Sequence, residues 1–178
     1  MPKPFLIYII IFFTSCTYNR FKTEYFDFYK GDIPIILIVS HDGENEFNFL
    51  PIRKDSTRNF NKKNDLNTKS IGQNIYNEIF NSFNQKPTLI INNIHRKYVD
   101  LNREPKYAYE SYRGKIIHHN YHYKINREVQ RLIQKYNKVF IFDIHGFAHK
   151  EIDIVLSTRN HKTIMNSDKD IFCLNLVF

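Results

Sequence analysis

Ile33-Pro34-Ile35-Ile36-Leu37-Ile38-Val39-Ser40-His41-Asp42-Gly43-Glu44 is the most informative stretch of this chain. Its first seven residues are an unbroken apolar run rich in β-branched side chains, the pattern of a strand buried on both faces in a parallel sheet. The run stops at a polar turn that holds a histidine and a glutamate. In open α/β sheets, ligands bind just beyond the carboxyl ends of the strands. The same few residues therefore predict both an architecture and a place for chemistry.

Further along, the pattern repeats. Residues 53–67 are charged and Asn-rich and read as a long loop. Ile71, Ile75, Ile79, Phe80 and Phe83 recur at helical spacing, with Thr68 or Ser70 as the expected N-cap. Pro87–Ile91 reads as a second strand, and Ile125, Val129, Leu132, Ile133 and Tyr136 as a second amphipathic helix. Lys138–Phe142 reads as a third strand that runs into Asp143-Ile144-His145-Gly146, and Ile152–Leu156 as a fourth. Strands alternating with helices predict an α/β fold with a mixed, mainly parallel sheet flanked by helices.

The chain has 178 residues, 42% of them hydrophobic and 25% charged, which suits one domain with a real core and excludes a disordered tail. Lys3 precedes nine apolar residues, Phe5–Phe13, and then Thr14-Ser15-Cys16. This reads as a signal peptide over residues 1–15, with Cys16 as the lipidated first residue of an exported, membrane-anchored protein. Residues 16–30 read as a tether and 31–178 as the domain. Cys173 is the other cysteine, so an internal disulfide is not expected once Cys16 is acylated. The net charge of +8 is spread among Asn and acidic residues and not gathered in runs, so nucleic acid is not an expected partner.

His41 and Glu44 form a His-x-x-Glu turn, and His145 ends a separate strand. Two imidazoles and a carboxylate suit zinc, which in catalytic sites keeps a fourth position for water. Asp143 or Asp100 would hold an imidazole in its ligating tautomer from behind. Arg96, Asn102 and Arg103, close to the end of the second strand, form a basic cluster suited to a carboxylate. His118, His119 and His122 are a rival cluster. Read as a strand, adjacent histidines point to opposite faces and do not share an ion. His95 and His149 read as surface or supporting residues.

Ser40–Glu44, Arg96–Arg103, Tyr121-His122 and Phe142–Gly146, in this order, resemble the N-formylglutamate amidohydrolase family, and Asp153–Thr158 is similar to the stretch that follows there. That family is similar in fold to the zinc carboxypeptidases. The resemblance implies zinc on His41, Glu44 and His145, and a substrate carboxylate on Asn102 and Arg103. It further implies Arg96 steadying an oxyanion and Asp100 orienting His41. The activity implied is hydrolysis of an amide bond in a small carboxylate-bearing or peptide substrate. The chain departs from the pattern at its end. Asp170–Phe178 is apolar, lacks the glutamate expected as general base, and reads as a strand cut short. Glu151 is the only glutamate after His145. The alternative reading is a catalytically impaired, surface-anchored module that binds carboxylates or peptides.

Overall fold

The computed structural model describes residues 20–22, 24–54, 60–146, 155–157 and 170–177. Ten elements follow in chain order: β1 (Arg20–Lys22), β2 (Phe26–Tyr29), β3 (Ile35–Val39), α1 (Thr68–Phe83), β4 (Thr88–Asn92), α2 (Pro105–Ala108), α3 (Tyr112–Tyr136), β5 (Lys138–His145), β6 (Val155–Ser157) and β7 (Asp170–Val177). The sheet order is β1-β2-β4-β3-β5-β7-β6. Its four central strands, β4-β3-β5-β7, are parallel, and β1, β2 and β6 join antiparallel at the edges. The expected α/β architecture with a mixed sheet is present.

Strand alternation divides the core into two layers. Leu37, Val39, Leu89, Ile91 and Ile144 face Ile71, Ile75 and Tyr76 of α1. Ile36, Ile38, Ile90 and Val139 instead pack with Ile117, Tyr121, Val129 and Leu132 of α3. Each such aliphatic side chain, once fully buried, contributes about 1.5–3 kcal/mol. α1 lies close to the sheet because residue 72 is glycine: a Cβ there would stand 2.7 Å from Val39 Cγ2.

Three expectations are corrected. The N-cap of α1 is Asn67 at φ 66°, not Thr68 or Ser70, and it makes no side-chain cap bond. Part of the expected tether is sheet. In Phe26-Asp27-Phe28 the aromatic rings alternate with a polar residue and enter the core, as a strand requires. The second helix starts at Tyr112, well before Ile125, where the Ser111 hydroxyl accepts from the Gly114 amide. His118, His119 and His122 are consequently helical, and the strand geometry used to separate them does not apply. His118 and His122 lie one turn apart with ring centroids 4.4 Å from each other.

Cys16, His149, Glu151 and the signal-peptide stretch lie outside the described residues, as do Ile152–Ile154 of the expected fourth strand. Among the described residues no helix is long and apolar enough to cross a membrane.

Candidate metal centre

β3 is the point at which the strand order reverses, with β4 on one side and β5 on the other. A crevice opens beyond the carboxyl ends of strands at such a point. Val39 pairs with Ile144, so His41, just past β3, and His145, the last residue of β5, come to the same edge. Their ring centroids are 5.1 Å apart.

A carboxylate from the long loop completes the group. Asp65 Oδ2 lies 3.1 Å from His145 Nδ1 and 3.4 Å from His41 Nδ1. The loop is anchored beside His41 by the Asp65 amide, which donates to the His41 carbonyl at 3.0 Å. One ligand atom from each of His41, Asp65 and His145 falls within 4.8 Å of the others, and this is the group of metal-ligand type found among the described residues.

Each imidazole is backed by a second carboxylate. His41 Nε2 is 2.8 Å from Asp100 Oδ1, and His145 Nε2 is 3.0 Å from Asp143 Oδ2. With Nε2–H donated backwards, both Nδ1 atoms face Asp65, to which they hydrogen bond in the metal-free protein. A metal seated there would displace the Nδ1 protons, while the carboxylates behind the rings keep Nε2–H in place. Asp143 is itself positioned by Ser40, whose hydroxyl donates to Oδ1 at 3.1 Å, and by Asn102 Nδ2, which donates to Oδ2 at 3.1 Å.

Asp100 is fully buried and is the hub of the site. Besides His41 it receives Arg96 Nε at 2.9 Å, Arg53 Nη2 at 3.3 Å and the Asn102 amide at 3.2 Å, with Arg103 Nε at 3.6 Å. Arg96 also bridges to Asp65 Oδ1 at 3.3 Å. Arg53 is buried and donates to the carbonyls of Arg96, Tyr107 and Asn61.

The structure thus brings His41, His145, Asp100, Asp143, Arg96, Asn102 and Arg103 to one place. It does not bring Glu44 there. The turn after His41 runs alongside the chain that follows β4, with Asn45 bridged to Ile94, and Gly43 is packed so closely that a Cβ would meet the Ile94 carbonyl at 2.3 Å. Glu44 is exposed and lines a separate cleft with Ile52, Lys62 and His95. Asp65 stands where Glu44 was expected. Asp65 and Arg53 both belong to the loop at 53–67, whose composition marks none of its residues as special. The rival histidines have structural partners: His118 Nε2 meets the Arg103 carbonyl at 3.0 Å and His122 Nε2 the Leu101 carbonyl at 2.9 Å.

Burial alone would push His145 down. The hydrogen bonds and negative charge of Asp143 and Asp65 outweigh it and push the imidazole up to about 10. Burial opposes ionisation of Asp65 and Asp100 too. Hydrogen bonds from His145 and His41 hold Asp65 well below the usual carboxylate range, and His41 and Arg96 do the same for Asp100. In the chelated protein, therefore, His145 contributes stability that is full below about 6.5 and is lost as pH rises through about 10. The two aspartates contribute stability that is full above about 4 and is lost as pH falls further. Thermal melts in chelator should show a plateau between these limits and a decline on the alkaline side. His145→Asn should flatten that decline; an unchanged alkaline limb would refute the assignment.

The cleft over this group measures about 360 Å³ and is lined by His41, Asn61, Asp65, Arg96, Asn102, Arg103, His145 and Gly146. It is polar and cationic at its rim, and small enough to suit a small anion-bearing substrate. No family model matches the chain, and no curated protein sequence matches it. The fold is shared with a solved structure, that of N-formylglutamate amidohydrolase from Ralstonia eutropha JMP134, with a TM-score of 0.60 over 88% of this chain and 86% of that one, at 11% sequence identity.

Proposed function

We propose that this protein is a zinc-dependent amidohydrolase acting on a small carboxylate-bearing amide. One observation carries the reading. His41 Nδ1, His145 Nδ1 and an Asp65 oxygen converge at the carboxyl edge of a parallel sheet, with a carboxylate behind each imidazole. This donor set fits zinc, which accepts imidazole nitrogen and carboxylate oxygen and leaves a position open in catalytic sites. Zinc held there would polarise an amide carbonyl and lower the pKa of a bound water.

The chain's own residues do the rest. Arg103 and Asn102 border the same cleft and bind the substrate carboxylate. Arg96 fixes Asp65 and presents positive charge where an oxyanion develops. Asp100 and Asp143 keep the two histidines in their ligating tautomer. The shared fold with an N-formylglutamate amidohydrolase supports a hydrolytic activity. An exported, lipid-anchored location, carried by Cys16, belongs to the same proposal.

The test is metal content of the purified protein together with turnover of N-formylglutamate and simple N-acyl amino acids. One zinc per chain with turnover supports the reading. Arg103→Ala should then raise KM for carboxylate substrates by roughly 10- to 100-fold, the value of a charged hydrogen bond. Folded protein that takes up no zinc would sink the proposal. Zinc without turnover of any N-acyl substrate would reduce it to a metal-dependent binding site.

A further inference from the structure

A second large concavity lies far from the cleft. A groove of about 740 Å³ runs between the outer face of α3 and the end of β2, and Lys30, Lys124, Arg127 and Arg131 line it. The one acid among its lining residues, Glu128, is buried and already bonded to Thr88 Oγ1 at 2.8 Å and to Arg131 Nε at 3.0 Å. The nearby Asp32 carboxylate accepts from the Lys86 amide. Aromatic rings lie among the cations: Lys124 Nζ stands 4.2 Å from the Phe28 ring centroid, and Arg127 is over Tyr123, which is exposed. Burial, Arg127 and Lys30 hold the Lys124 ammonium below its usual range, while Glu128 works the other way.

The position of the groove says which anion it would suit. β2 runs antiparallel to β4, so Lys30, just past the end of β2, lies at the edge where β4, β3 and β5 begin. The metal centre lies at the opposite edge, where those strands end. β1 pairs antiparallel with β2, and Arg20 stands opposite Tyr29. The chain therefore enters the domain beside Lys30. Residues 17–19 separate Arg20 from Cys16, the proposed lipid anchor. Even fully extended, that connection reaches at most about 15 Å.

We propose that the groove lined by Lys30, Lys124 and Arg127 docks on an anionic bilayer surface, so that the domain lies with its strand-start edge on the membrane and its metal cleft facing away. Basic side chains at such a surface act through the negative lipid headgroups, and interspersed tyrosine suits the interface. The inference rests on the lipid-anchored location proposed above and not on the hydrolase activity.

The experiment is partition of the full chain onto phosphatidylcholine vesicles with and without phosphatidylglycerol, at low and high salt. Wild type should favour the anionic vesicles and lose that preference as salt rises. Lys30→Gln/Lys124→Gln/Arg127→Gln should weaken partition onto anionic vesicles by roughly a hundredfold at low salt and leave the neutral vesicles unaffected. Lys62→Gln/Lys63→Gln/Lys115→Gln, which removes the same charge elsewhere, should behave as wild type. If the first triple variant fails to fold, the double variant at the exposed Lys30 and Arg127 reads the same effect. Equal partition of wild type onto both vesicles, or equal losses in both triple variants, would overturn the proposal. So would displacement by inorganic phosphate beyond that by chloride of equal ionic strength, which would assign the groove to soluble phosphate. Tighter binding to duplex DNA than to anionic vesicles at matched salt would assign it to nucleic acid.

Discussion

Asp65→Asn should lose zinc, and Glu44→Gln should keep it. Asn preserves the shape of Asp65 and its contact with the His41 carbonyl, which uses the backbone amide. It removes the negative charge that faces both Nδ1 atoms and the Arg96 guanidinium. Even residues that only support a metal ligand typically cost 10- to 100-fold in affinity when changed. Loss of a ligand should therefore cost about a hundredfold or more. Competition with a chromogenic chelator reads this directly. Glu44 is exposed at a different cleft, so its neutral analogue should bind zinc as wild type does. A variant pair with the reverse pattern would return the ligand role to the His-x-x-Glu turn.

Asp100→Asn carries the largest expected cost in stability. Asp100 is fully buried and gathers Arg53, Arg96 and Arg103 around one carboxylate. Arg53 and Arg96 are themselves almost wholly enclosed. Neutralising the hub leaves buried guanidinium charge without its counter-ion, a situation that typically costs about 3–5 kcal/mol. For a domain of this size such a loss is a large share of total stability, typically about 5–15 kcal/mol. The same change also replaces the carboxylate behind His41 Nε2 with a neutral amide, a weaker acceptor, so zinc affinity should fall about 10- to 100-fold. Urea unfolding of the chelated protein separates the two effects. A loss under about 1 kcal/mol would mean that the arginines find other partners.

Much of the scaffold is visible in the amino-acid order because it follows from local rules. The unbroken apolar run before Ser40 and the shorter apolar runs Leu89–Ile91 and Val139–Phe142 have the length and β-branched or aromatic content of central strands. The two strand-end histidines then meet because parallel pairing puts neighbouring carboxyl ends at one edge. The basic cluster Arg96–Arg103 could be seen as a binding segment, and the resemblance points to Asp100 behind His41, where it lies. That Asp100 also gathers three arginines was not legible, because nothing local distinguishes a buried acid from a surface one. Asp65 and Arg53 were illegible for a plainer reason. Their loop has no periodicity, and their roles depend on where the tertiary fold lays it. The start of α3 was hidden by composition. From Tyr112 to Lys124 the segment is rich in Tyr and His, which are indifferent helix formers, while its real signal, Ser111 capping Gly114, is a single residue.

Because β3 and β5 are adjacent in the sheet but distant in the chain, the metal centre is a late product of folding. Bringing His41 to His145 closes a loop of roughly a hundred residues, with β4 and both long helices in between. Contacts of such long sequence separation are slow to form. On the proposed reading zinc would meet no preformed pair of histidines in the nascent chain, and would lock a sheet already assembled instead of nucleating it. Added chelator should accordingly speed the unfolding of this protein far more than it slows its refolding.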